Sequence, residues 1–218
     1  MDRRDLTRTV LALTCAVIAA FSTIPAVAQT PAQPAAAAAP DTRDRVVLST
    51  AAGDIVIALE PNAPVTAANF LRYVDEHRFD GTDFYRAMVV APGIGLIQGG
   101  TNNAPGRVLP SVVHEPTSQT GLTHNDGALS MARYGPGTAN GDFFIIVGNV
   151  RSLDASPTDP GFAVFGHVIQ GMDIVRQIMV APTSPTEGEG FMRGQMLDPR
   201  IRIVSARRLA AEQVVPQP

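Results

Sequence analysis

One arginine inside an otherwise apolar stretch is the residue whose type and setting point most directly to chemistry. It is Arg86, in the run from Asp83 to Gly100 that reads Asp-Phe-Tyr-Arg-Ala-Met-Val-Val-Ala-Pro-Gly-Ile-Gly-Leu-Ile-Gln-Gly-Gly. A guanidinium keeps its proton and offers five N–H donors, so a buried one needs an acceptor. Arg86 therefore either points to water, as one face of an antiparallel strand often does, or is held by an acceptor such as the Gln98 side-chain carbonyl. The other reactive residue types stand in weaker settings. His114-Glu115 and His124 lack the spacing of a zinc ligand set. Ser130, in Leu-Ser-Met, lies on an expected strand, without the Gly-x-Ser-x-Gly turn of a nucleophile. His77 reads as a solvated histidine at a helix end. These residues lead us to expect no metal and no cofactor.

The elements that must position Arg86 follow from periodicity and punctuation. Phe84 to Val90 and Ile94 to Gln98 read as strands joined by Ala91-Pro92-Gly93. Arg45 to Thr50 and Asp54 to Glu60 form another hairpin across Ala51-Ala52-Gly53, with Ile55, Ile57 and Leu59 on the core side. Pro61 and Pro64 end that strand and open a helix, whose first turn tolerates Pro64 because the missing N–H has no partner there. Ala67, Phe70, Leu71 and Val74 give this helix one apolar face, and it ends near His77 to Gly81. Thr101 to Asp126 is a long surface excursion, of the kind that usually has a functional reason. Gly127 to Ala132, Phe143 to Gly148, Phe162 to Val168 and Ile201 to Arg207 are further strands. Asp173 to Met179 is a second helix, with Asp173 at the positive end of its dipole, and Pro182 to Met196 is a loop. Many short strands with Gly/Pro-rich connections imply a closed antiparallel barrel.

Composition sets outer bounds. A 218-residue chain with 45% hydrophobic residues and nine phenylalanines suits one domain plus appendages. Its 17 basic residues are all arginine, spread thinly at a net charge of −3, so nucleic acid is not an expected partner. Residues 1–28 read as a signal peptide: Arg3, Arg4 and Arg8, an apolar run from Val10 to Phe21, then Ala26-Val27-Ala28. The run is short for a membrane span. Cutting after Ala28 would remove three arginines and two aspartates, a net +1, and leave −4. It would also remove Cys15, the single cysteine, which suits an oxidising compartment. The expected chain is then periplasmic or secreted and free of the membrane. A Pro/Ala-rich linker over 29–43 precedes a domain over 44–210 and a tail over 211–218.

Five fragments in order resemble one family. Phe-Tyr-Arg with Ile-Gln-Gly-Gly, Ala-Leu-Ser-Met-Ala-Arg at 128–133, Asp-Phe-Phe-Ile at 142–145, Phe-Ala-Val-Phe-Gly at 162–166 and Gly-Met-Asp-Ile-Val at 171–175 are similar to the cyclophilin-type peptidyl-prolyl cis-trans isomerases. The match runs over roughly residues 45–208. The resemblance implies an eight-stranded barrel capped by two helices, and catalysis of rotation about X-Pro bonds. That rotation has a barrier of roughly 18–20 kcal/mol and breaks no covalent bond, so a catalyst needs only to favour the twisted amide over both planar forms. By the same resemblance Arg86 donates to the prolyl nitrogen and Gln98 orients it. Phe144 floors the proline pocket, Leu153 and Leu96 line it, Phe162 closes its far side, and Ala132 and Arg133 lie at the edge that pairs with the peptide backbone. The partners implied are proline-containing segments of folding proteins, met by a monomer.

Three departures bear on activity. The segment between Arg86 and Gln98 is several residues longer than the family pattern, with Ile94 or Gly95, followed by Leu96, where an aromatic is usual. Asp142 replaces a glutamine before Phe143-Phe144, and either pairs with the guanidinium or faces water. Ser152 stands where many members carry a tryptophan, which implies weak inhibition by cyclosporin. A second function class therefore stands beside the enzyme: a peptide-binding module or chaperone with little catalytic power.

Overall fold

The computed structural model describes residues 43–210; the readings that fall on residues 1–42 and 211–218 lie outside them. The described residues form nine strands and three α-helices. In chain order these are β1 (Arg45–Thr50), β2 (Gly53–Leu59), α1 (Pro64–Asp75), β3 (Thr82–Ala91), β4 (Ile94–Gly100), α2 (Thr117–Thr120), β5 (Ala128–Met131), β6 (Asp142–Val147), β7 (Val164–Gln170), α3 (Met172–Met179), β8 (Thr183–Ser184) and β9 (Met196–Leu209). All pairings are antiparallel, in the order β1-β2-β7-β5-β6-β4-β3-β9, and β9 pairs back onto β1. Eight strands thus close a barrel, and the two-residue β8 is a short annex on the start of β9. The helices number three rather than the expected two. α2 is a single turn, stopped by Gly121 in the left-handed conformation, and is too short to show an apolar period.

The barrel is filled by aromatic and branched side chains. Phe143 is met edge-on by Phe70, Phe79 and Phe84, with ring centroids 5.4, 5.4 and 5.8 Å away. Each fully buried side chain of this size contributes roughly 1.5–3 kcal/mol. α1 supplies Phe70 and Tyr73 to this core, and α3 supplies Val175, Ile178 and Met179.

β6 has no wet face, since all six of its residues are buried. Phe143, Ile145 and Val147 join the barrel core, whereas Phe144 and Ile146 join a second cluster with Leu96, Ala128, Val150 and Val164. That second cluster is the apolar ground on which the site stands.

Candidate active site

β3 presents Arg86 through an irregularity. Phe84 pairs with Gly99 and Arg86 with Gln98, so the register slips at Tyr85. Phe84 and Ala87 both lie in the barrel core, which in a strand of period two is possible only if an extra residue stands between them. Tyr85 and Arg86 are that pair. The arrangement sends two polar side chains in succession toward the neighbouring outer side of β4.

There Arg86 is 7% exposed and bound entirely by neutral acceptors. Its Nη1 donates to Gln98 Oε1 at 2.7 Å, while Nε and Nη2 donate to Gln195 Oε1 at 2.9 and 2.7 Å. The Phe191 ring lies 5.4 Å from the guanidinium carbon. Burial pulls the Arg86 pKa down, and Tyr85 opposes that shift; the guanidinium stays charged at neutral pH. Gln98 is oriented in turn, its Nε2 donating to the Tyr85 hydroxyl at 2.8 Å.

Phe144 pairs with Gln98 across β4 and β6 and is 4% exposed. Phe162 meets it edge-on at 5.4 Å. Leu153, Ala132, Met88 and Phe162 pack half-buried around the Phe144 cluster. Phe144 and Leu96 thus share one apolar cluster, and Gln98, which holds Arg86, lies opposite Phe144 across the two strands. Arg133 lies at the edge of that cluster, donating through Nε and Nη2 to the Gly161 carbonyl and covering the Phe162 ring at 4.8 Å. The Ala132 N–H is taken by the Asp142 carbonyl at 2.9 Å, so that donor serves the barrel rather than a peptide.

Asp142 does neither of the two things the sequence left open. Its Oδ1 accepts the Asn102 N–H at 2.7 Å and lies 3.4 Å from the Thr101 hydroxyl, because Gly100 turns the chain back over it. The carboxylate closes the turn after β4 instead of pairing with Arg86 or facing water. Burial raises its pKa against these hydrogen bonds.

Four contributors escaped sequence reasoning. Tyr85 follows from no motif, because a bulge has no periodicity. Gln195 and Phe191 reach Arg86 from the loop before β9. His124, which the sequence set aside as a zinc ligand, is fully buried and stacks on Phe144 at 6.0 Å with an interplanar angle of 12°. Its Nδ1 is 2.7 Å from Asp154 Oδ1 and its Nε2 3.0 Å from Ser130 Oγ. Burial lowers the His124 pKa, and the bonds to Asp154 oppose this. Neutral His124 thus donates from Nδ1 to the carboxylate and accepts the Ser130 hydroxyl at Nε2. Ser130 is fully buried, so this serine, histidine and aspartate brace Phe144 and cannot attack a substrate. No cluster of three metal-ligating side chains occurs among the described residues.

The outer side of the closed barrel thus carries a buried cation on β3 and a buried aromatic on β6. The chain belongs to the cyclophilins: residues 45–207 match the family model for cyclophilin type peptidyl-prolyl cis-trans isomerases. It is 42% identical over 144 residues to a peptidyl-prolyl cis-trans isomerase of Acinetobacter baylyi, covering 64% of this chain and 73% of that one. It is 37% identical over 147 residues to peptidyl-prolyl cis-trans isomerase A of Dickeya dadantii, covering 65% and 74%. The fold is shared with a Cryptosporidium parvum cyclophilin type isomerase solved in the presence of the dipeptide Ala-Pro, at a TM-score of 0.62 and 20% identity over 76% of this chain and 99% of that one. The activity that goes with this family is cis-trans isomerisation of peptidyl-prolyl bonds.

Proposed function

We propose that this isomerase acts on X-Pro bonds of exported proteins by binding the twisted imide with Arg86. The observation that carries the reading is the buried guanidinium held by neutral acceptors alone. In the twisted state the prolyl nitrogen loses its amide resonance and gains a lone pair that accepts a hydrogen bond. Arg86 supplies the donor while the apolar cluster around Phe144 takes the ring, and the rest of the peptide turns. No general base or nucleophile is required, since no bond is broken. Because no carboxylate among the described residues pairs with Arg86, its charge acts in full on the developing lone pair, in a site where water screens poorly. The Ala-Pro dipeptide named with the Cryptosporidium parvum structure supports a proline-containing peptide as the ligand. Action in the periplasm or outside the cell rests on the N-terminal segment with Ala26-Val27-Ala28, and we infer a monomer.

The test is a protease-coupled assay on an X-Pro peptide. Arg86→Ala is expected to lower kcat/KM by on the order of 10², the scale seen when one donor to a developing charge is removed. Retention of wild-type kcat/KM would overturn the reading.

One observation favours a second reading as a peptide-binding chaperone. Val89, Val90, Val180 and Phe191 are all exposed, and Val89 and Val180 line a cleft with Met88, Met179, Gly194 and Gln195. Suppression of client aggregation that survives intact in Arg86→Ala would support it.

A further inference from the structure

Gln98 was expected to orient Arg86, but it touches the guanidinium at a single nitrogen. One hydrogen bond at Nη1 leaves the planar group free to pivot about that contact. The opposite edge is gripped by Gln195, whose one carbonyl oxygen receives both Nε–H and Nη2–H. Two N–H groups converging on one oxygen hold the Nε–Nη2 edge of the guanidinium in place, which a single contact at Nη1 does not.

Gln195 is itself held from two sides. Its backbone carbonyl accepts the Ala87 N–H at 2.9 Å, which ties it to β3 one residue past Arg86. Its side-chain Nε2 donates to the Phe191 carbonyl at 2.8 Å, which turns Oε1 toward the arginine. The loop that carries it is knotted by its own backbone bonds, Met192 to Glu189, Gly194 to Glu187 and Gln195 to Met192.

Of the five guanidinium protons, Gln98 and Gln195 together occupy three, which leaves one N–H on each terminal nitrogen. The one on Nη2 passes Met88 Sδ at 3.6 Å, a weak acceptor. A glutamate in place of Gln195 would grip as firmly, but its charge would cancel that of the guanidinium.

We propose that Gln195 is a second positioning residue of the isomerase, holding the Nε–Nη2 edge of Arg86 without neutralising it so that the remaining Nη1 N–H is left for the substrate. The inference rests on the reading of Arg86 as the donor to the twisted imide. It gives Gln195→Ala and Gln195→Glu the same sign of effect for different reasons. The alanine frees the guanidinium, and the glutamate binds it but offsets its pull.

The experiment is done on the full chain and has two arms. In ¹⁵N NMR the Arg86 Nε–H of the wild type is expected to exchange with solvent at least tenfold more slowly than in Gln195→Ala, while Gln98→Ala keeps the protection. In the peptide assay Gln195→Ala and Gln195→Glu are each expected to lower kcat about tenfold, with KM and the melting temperature close to wild type. Equal Nε–H exchange in wild type and Gln195→Ala, or wild-type kcat in both variants, would overturn the proposal. Should Arg86→Ala prove fully active, the donor reading fails and this role with it, but the NMR arm still shows whether Gln195 holds the guanidinium.

Discussion

Asp142 stands immediately before Phe143-Phe144, yet its charge is spent on the backbone of the 101–103 turn. Replacing it is therefore expected to move stability and leave kcat/KM within about twofold of wild type. Asp142→Asn keeps an acceptor for the Asn102 amide and should be near neutral, whereas Asp142→Ala should cost about 1–3 kcal/mol for the amide left unpaired. Urea unfolding alongside the peptide assay checks both. Its raised pKa adds a pH signature: the folded state binds the proton more tightly, so this stabilising contribution is complete in acid and is lost as pH rises through the folded pKa. His124 has the opposite sign. Its pKa is held below the ordinary 6.5, so the unfolded chain takes up the proton first, and stability declines as pH falls from 6.5 toward the folded value. Thermal melts from pH 7 downward should show that decline in wild type and a weaker one in His124→Gln, which is also less stable throughout. The sequence made Arg86, Gln98 and Phe144 legible because each sits in a short ordered motif. It gave no sign of Gln195, which stands 109 residues from Arg86 in a stretch without periodicity. Asp142 was visible as an oddity, but its direction depended on a turn made by Gly100.

Among the elements, α1 shows how a loop can complete a helix. No side chain of its own caps it, and Pro64 occupies its first turn. Buried Glu115, from the long excursion after β4, accepts the Val65 and Thr66 amides at 3.2 and 2.7 Å and the Thr66 hydroxyl at 2.6 Å. A carboxylate there satisfies two otherwise orphan donors and complements the helix dipole. Glu115→Ala is expected to destabilise the protein by about 1–3 kcal/mol, read in urea unfolding, with the isomerase rate constant of the folded enzyme little changed. Strands and helices were readable from alternation and from prolines, although β9 runs from Met196 rather than from the expected Ile201. Its first residues pair with β8 and β3 in a segment whose pattern is not apolar enough to read as a strand. The slip at Tyr85 was hidden for a related reason. Inside Phe-Tyr-Arg-Ala, strict alternation would have sent Ala87 out with Tyr85, and only the packing of both Phe84 and Ala87 inward reveals the extra residue.

At the scale of the molecule, the chain spends its apolar residues on two grounds separated by one sheet. The inner ground fills the barrel, and the outer one gathers around Phe144. β6 belongs to both, which is why its sequence after Asp142 reads as an unbroken apolar run. Ring closure depends on β9, which is hydrogen-bonded to β3 along its first half and to β1 along its second. The pairing sets Leu209, at the end of the last strand, directly opposite Arg45, at the start of the first. The order in which the chain visits the barrel is therefore not needed to hold it shut. A permuted gene, with a few glycines joining position 210 to position 44 and new termini cut into the Ala51-Ala52-Gly53 turn, is expected to yield a protein that melts in one cooperative step and isomerises the peptide at a rate near that of the parent.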